Sequence, residues 1–196
     1  KVKSTNLTTG DLVYSVETQK PHSFVTSYGI VVHNCIPKDP LYLHWKAKSF
    51  GFHSRFIQLA SEVINYMPEY VVKRIKDVLT EAKHKLKGAK ILVVGVTYKK
   101  DVKDLRKSPG IDVINCLKKR GAQVSYFDPL IPFLKVKGLD LKSVKLNNKK
   151  INEFDCVLIA ADHTGVDYPA LLNNAKLIFD TRNVYQGKNK EKVHRL

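Results

Sequence analysis

A chain of 196 residues has the length of one large domain or two small ones. It carries 34 Lys and Arg against 18 Asp and Glu, a net charge of +16, and is 43% hydrophobic, which is too apolar for a disordered chain. No apolar run approaches the ~20 residues of a membrane span, and the polar Lys1–Gly10 stretch does not read as a signal peptide. Three cysteines, Cys35, Cys116 and Cys156, are too few for a disulfide scaffold and suit a reducing, cytoplasmic setting. Of the basic residues only six are Arg, and the lysines are scattered through every segment. Nucleic-acid readers draw instead on Arg forks and interleaved aromatics in a recognisable motif. The charge is expected to be mostly solvated surface, with a share for a small anionic substrate and none for nucleic acid.

Residues 1–34 read as short β-type runs: Leu12–Val16 alternates, Phe24-Val25 follows Pro21-His22, and Ser27-Tyr28-Gly29 turns into Ile30-Val31-Val32. Over 35–87 the texture changes. Pro37 and Pro40 predict an extended stretch; then Phe56, Leu59, Ala60, Val63, Ile64 and Met67 recur at helical steps. Tyr70, Val71, Ile75, Val78 and Leu79 continue that face beyond Pro68. The spacing predicts one long helix, kinked near Pro68, that packs against another domain or subunit. From Gly88 onward strands and helices alternate. Strands are predicted at 90–96, Gln123–Phe127, Cys156–Ala160 and Leu177–Phe179, with helices opened by Ser108-Pro109 and running over Tyr168–Asn173. This order predicts an α/β fold with a Rossmann-like, doubly wound parallel sheet.

The most specific local string is Gly29-Ile30-Val31-Val32-His33-Asn34-Cys35. Asn followed by Cys, with His before it, is what peptide-bond breakage by Asn cyclisation needs. The Asn34 side-chain nitrogen attacks its own carbonyl carbon, His33 assists by proton transfer, and Cys35 takes up an acyl group. Taken alone, His-Asn-Cys also fits a strand that ends in a polar turn. Together with Val13–Glu17 and Pro21–Phe24, however, it resembles the last two sequence blocks of inteins, over roughly residues 11–35. The resemblance implies that Asn34 cyclises, that His33 and His22 assist, and that Cys35 is the nucleophile beyond the splice junction. Ser15 stands where many inteins carry Asp. The upstream intein half is absent from this sequence, so the chain is expected not to splice by itself, although cleavage at Asn34 is conceivable.

Cys35-Ile36-Pro37-Lys38-Asp39-Pro40 places a thiol four residues before a carboxylate. That arrangement suits covalent aldehyde oxidation, in which a thiolate forms a hemithioacetal and then a thioester that water hydrolyses; a buried Cys in a proline-stiffened loop is the plainer alternative. The same string, with Val93–Pro109, Phe127-Asp128-Pro129, Ala161-Asp162-His163 and Phe179–Asn183, resembles the UDP-glucose/GDP-mannose dehydrogenase family over residues 35 to about 187. The resemblance implies oxidation of the C6 alcohol of a nucleotide sugar to a carboxylate with NAD. It implies Cys35 as the covalent nucleophile and Asp39 as the water-positioning carboxylate. Lys38 and Arg106 would lie against NAD, Tyr98 and Lys99 against the nucleotide sugar, and Arg182 near its phosphates.

The strand at 91–96 leads into Gly95-Val96-Thr97-Tyr98-Lys99-Lys100, which is not Gly-x-Gly-x-x-Gly, so an N-terminal NAD-binding domain is implied as missing. The expected organisation is an intein tail over 1–34, an active-site loop and central dimerisation helix over 35–87, and a UDP-binding domain over 88–196. A homodimer through that helix is implied, with a UDP-N-acetylhexosamine or UDP-glucose as substrate and no metal. Two alternatives remain open: a protein-splicing module with a passive extein, and a UDP-sugar-binding domain with no turnover in isolation. Cys116 and Cys156 are expected to be buried thiols, and His53 and His163 structural histidines.

Overall fold

The computed structural model describes residues 23–25, 31–33, 39–186 and 191–196, with side chains from residue 40 onward. The chain divides into two units, 1–65 and 66–196. In the first, β1 (Ser23–Val25) pairs antiparallel with β2 (Val31–His33), Ser23 opposite His33. Asp39–Lys48 forms helix α1. This corrects the extended stretch that Pro40 suggested: a proline in the first turn forgoes an N–H that has no partner inside the helix anyway. Its apolar side chains Tyr42, Leu43 and Trp45 are exposed.

The long helix α2 (Arg55–Glu81) runs from the first unit into the second and continues through Pro68. Its periodic apolar face has two fates. Val71, Val72, Ile75, Val78 and Leu79 are buried, whereas Phe56, Leu59, Val63, Ile64 and Tyr66 are exposed, Phe56 by 82%.

The second unit is built on five parallel strands: β3 (Lys90–Val94), β4 (Gln123–Phe127), β7 (Cys156–Ile159), β8 (Ile178–Asp180) and β9 (Val193–Arg195), in the order β4-β3-β7-β8-β9. Side chains along a strand alternate between faces, and the core follows that alternation. Ile91, Val93, Cys156, Leu158 and Phe179 share one cluster with α2 and α3 (Pro109–Lys119). Leu92, Val94, Val157, Ile159 and Ile178 share the other with α4 (Asn148–Asn152) and α5 (Tyr168–Asn174). Both faces are therefore covered, which explains the uninterrupted apolar runs of β3 and β7. The doubly wound parallel α/β architecture agrees with the sequence expectation.

Three elements were not foreseen. A hairpin, β5 (Phe133–Val136) and β6 (Leu139–Lys142), turns at Lys137-Gly138, both with positive φ as a two-residue hairpin turn requires. Helix α4 is capped by Asn147, whose side chain accepts from the Lys150 N–H. Strand β9 extends the sheet edge, Ile178 opposite Val193.

Candidate functional site

Chain order and spatial order reverse at β3: the next strand, β4, lies on one side of it and β7 on the other. In doubly wound sheets, ligands bind beyond the carboxyl ends of the strands at such a reversal. The segments that leave those ends are 95–107 after β3, Asp128 after β4, 160–164 after β7 and 181–186 after β8.

The reversal point is closed at its base. Gly95 has φ +82, and a Cβ there would stand 2.5 Å from the Ala161 carbonyl oxygen, so only glycine lets the two strand ends approach this closely. Above it lies a buried polar cluster. Asp128 accepts from the Val96 N–H at 2.7 Å and the Leu130 N–H at 2.8 Å, and His163 Nε2 lies 3.2 Å from its Oδ2. Asp128 and His163 are essentially inaccessible to solvent. These carboxylate and imidazole groups fill the place where a dinucleotide-binding sheet opens toward its cofactor, and no glycine-rich turn follows β3. The described residues therefore do not fit NAD at this crevice.

Outside the cluster lie the cations. Arg106 donates to both oxygens of Asp104 through its fork, and those hydrogen bonds, then the attraction of that carboxylate, raise the guanidinium pKa above its ordinary value. Asp162 holds the Lys100 ammonium at 3.4 Å and the Arg182 guanidinium at 3.9 Å, so it draws the segment after β3 and the segment after β8 to one point. Arg182 is set in its turn by Asp180, whose oxygens accept from the Arg182 and Tyr185 N–H groups. Tyr98 and Lys99 are half-buried, and Lys99 enters no ion pair among the described residues. The edge thus presents Tyr98, Lys99, Arg106 and Arg182 together and offers cations to an anionic ligand.

The remaining expectations lie elsewhere. Cys35, Asn34, His22 and Lys38 fall outside the described residues. Of His33 and Asp39 the backbone alone is described, at the end of β2 and the start of α1. Cys156 is buried as expected, its thiol pushed up to about 12 by desolvation. Cys116 is only half-buried, and its thiol donates to Glu69; desolvation, then that bond, push it up to about 11, so both thiols are inert near neutrality. His53 is exposed rather than structural, because it lies in the open turn before α2. Sequence reasoning passed over Asp101, Asp104 and Asp162 as site residues. For Asp162 the available signal was that three of the four apolar strand runs end within a few residues in Asp, at Asp128, Asp162 and Asp180. Among the described residues there is no metal-binding group of His, Cys, Asp and Glu, and no helix long and apolar enough to cross a membrane.

A second basic region lies at the opposite edge of the sheet, where the strands begin. There a cleft of about 710 Å³ is lined by Lys76, Lys83, Lys85, Lys87 and Arg120, among others.

Residues 92–187 match the sequence model of the UDP-glucose/GDP-mannose dehydrogenase family, UDP binding domain. The chain is 32% identical over 163 residues to UDP-N-acetyl-D-mannosamine dehydrogenase of Methanococcus maripaludis, covering 78% of this chain and 35% of that enzyme. It is 34% identical over 116 residues to an uncharacterized protein of Methanocaldococcus jannaschii, 59% of this chain but 12% of that protein. Among solved structures, the UDP-D-ManNAc dehydrogenase of Pyrococcus horikoshii superposes with a TM-score of 0.67 at 24% identity, over 82% of this chain and 37% of that one. Dehydrogenase relatives of this kind are longer proteins, of which the chain spans about a quarter to two fifths. Residues 92–187 are thus similar in sequence to the UDP binding domain of the UDP-glucose/GDP-mannose dehydrogenase family, and the parallel sheet has the fold of the solved relatives.

Proposed function

We propose that this chain is the C-terminal part of an NAD-dependent nucleotide-sugar 6-dehydrogenase and that its carboxyl edge holds the UDP moiety of the substrate. The observation that carries the reading is the convergence of Lys100 and Arg182 on Asp162 at the sheet's reversal point, beside Lys99, which enters no ion pair among the described residues. Arg182 takes the pyrophosphate, and Tyr98 and Lys99 the nucleotide sugar. NAD belongs to an N-terminal domain that this sequence does not include, where it supplies the hydride acceptor for both oxidations; Lys38 and Arg106 face it from this chain. Cys35 adds its thiolate to the aldehyde carbon, and Asp39 orients the water that releases the carboxylate from the thioester. A reducing cytoplasm keeps that thiol free. The exposed apolar half of α2 supports pairing of two copies through this helix. The similarity to the M. maripaludis enzyme favours a UDP-N-acetylhexosamine over UDP-glucose.

The test is calorimetric titration of the chain with UDP and UDP-N-acetylmannosamine, with the nicotinamide absorbance followed after addition of NAD. Binding of UDP without NAD reduction is expected. Absence of UDP binding would sink the reading, and NAD reduction by this chain alone would refute the missing domain. Joined to its upstream part, the enzyme is expected to oxidise UDP-N-acetylmannosamine or UDP-N-acetylglucosamine faster than UDP-glucose.

Residues up to Asn34 are read as the tail of an intein, so that Cys35 serves splicing first and oxidation afterwards. Two observations support this. The β1–β2 hairpin ends at His33, next to Asn34. The M. jannaschii protein, for which 116 shared residues are only 12% of its length, must be far longer than the M. maripaludis enzyme, as an inserted segment would make it. Mass spectrometry of the native enzyme decides: peptides running from Tyr28 through Asn34 into Cys35 would exclude splicing at this junction.

A further inference from the structure

Segment 97–101 carries the two residues assigned to the nucleotide sugar, Tyr98 and Lys99, and one imidazole is bonded to both of its ends. At the start, Thr97 Oγ1 donates to the Lys99 carbonyl at 2.9 Å, which leaves this oxygen as the acceptor for His163 Nε2 at 3.0 Å. At the end, the Asp101 N–H donates to His163 Nδ1 at 2.9 Å. Nδ1 is therefore the lone-pair nitrogen and Nε2 carries the proton, directed at Thr97 and Asp128. Asp101 answers across the same gap, its Oδ1 accepting from the Thr164 N–H at 2.9 Å.

The arrangement holds a conformation that the segment would not keep unaided. Asp101 has φ +55, in the left-handed region that a non-glycine residue enters at a cost of about 1 kcal/mol or more. Such a conformation persists only where its surroundings over-determine it, and here the two bonds to His163 and Thr164 do so. Without the Nδ1 acceptor, Asp101 relaxes toward ordinary φ, and the backbone that carries Lys99 moves with it. The ring itself is wholly buried and cannot touch a ligand.

We propose that His163 is a positioning residue for nucleotide-sugar binding, acting through its two ring nitrogens on the two ends of the 97–101 segment to present Tyr98 and Lys99. This rests on the proposed UDP site. Two near-isosteric variants separate positioning from mere support of the fold. His163→Gln places an amide nitrogen near the position of Nε2 and keeps a donor for Thr97 and Asp128, but removes the acceptor facing Asp101. His163→Asn places an oxygen near the position of Nδ1, which keeps that acceptor but leaves the buried Asp128 short of one donor.

The experiment titrates the full 196-residue chain and both variants with UDP, with urea unfolding and amide exchange at Asp101 measured in parallel. His163→Gln is expected to bind UDP about tenfold more weakly and to lose protection at the Asp101 amide, the consequence of one lost hydrogen bond at a binding segment. His163→Asn is expected to be the less stable of the two, yet to bind within about threefold of wild type. Affinities that simply follow stability, with His163→Asn the weaker binder, overturn the positioning role, as does wild-type affinity in His163→Gln. If the wild-type chain does not bind UDP, the site itself fails and the positioning role falls with it.

Discussion

The two basic edges of the sheet look alike in composition and differ in construction. At the amino edge, Lys83, Lys85 and Lys87 stand around an open cleft just beyond the end of α2. At the carboxyl edge, Lys100 and Arg182 are held by Asp162, Arg106 by Asp104, and the segment that carries Lys99 by His163 and Thr164. The open cleft belongs to the amino edge, and the oriented groups belong to the carboxyl edge. Specific recognition requires charges held in place by their neighbours, and a net charge of +16 supplies the cations but not the holding.

Four measurements break or sharpen this contrast. Gly95→Val forces a branched side chain into the Ala161 backbone at a positive φ, and is expected to cost about 4 kcal/mol in urea unfolding or to prevent folding. Asp128→Ala strips a buried acceptor from two backbone N–H groups and from His163, and is expected to cost about 3 kcal/mol by the same measurement. Stability unchanged by either would show the reversal point to be open rather than closed. Lys99→Ala and Arg182→Ala are each expected to weaken UDP binding about tenfold in calorimetry with little change in stability. Replacing Lys83, Lys85 and Lys87 together by Ala is expected to change UDP affinity by less than about twofold; a loss as large as that of Lys99→Ala would move the site to the other edge.

Titration gives a finer test of the carboxyl edge. The Asp101 carboxyl is held below its ordinary value of 3.8, chiefly by the Thr164 N–H, with smaller help from Lys100 and His163. A lowered folded-state value means that the stability contributed by the charged form is complete above the ordinary value and lost only as pH falls through the lowered one. The Asp101–Thr164 clasp should therefore hold from neutrality down to that range. Amide exchange at Thr164 followed against pH checks this, and a loss of protection near neutrality would contradict it.

Much of this was legible in sequence for reasons that are local. Val93–Val94 and Cys156–Ile159 are apolar without interruption because both faces of their strands are covered, and that pattern needs no tertiary knowledge to recognise. The turn at Lys137-Gly138 and the cap at Asn147 carried signals too, but over strands and a helix too short for periodicity to show. Pro40 misled because the same ring that opposes a helix interior favours its first turn. Tyr98, Lys99, Arg106 and Arg182 were named from a family pattern, and the fold brings them to one edge. His163 and Asp162 were not named as site residues, because nothing in Ala-Asp-His says which loops they will meet.

The sequence by itself determined the core strands β3, β4, β7 and β8 with the helices α2, α3 and α5, the parallel sheet that follows from their order, and the strings His33-Asn34-Cys35 and Cys35–Pro40 on which the chemical reading rests. Those are consequences of residue type and short-range spacing. Only the tertiary structure decided that the reversal point is plugged by Asp128 and His163, that Asp162 gathers cations from two loops, and that one ring holds both ends of the 97–101 segment. Each of these joins groups at least twenty residues apart, and a hydrogen bond depends on a distance and a direction that spacing along the chain does not specify.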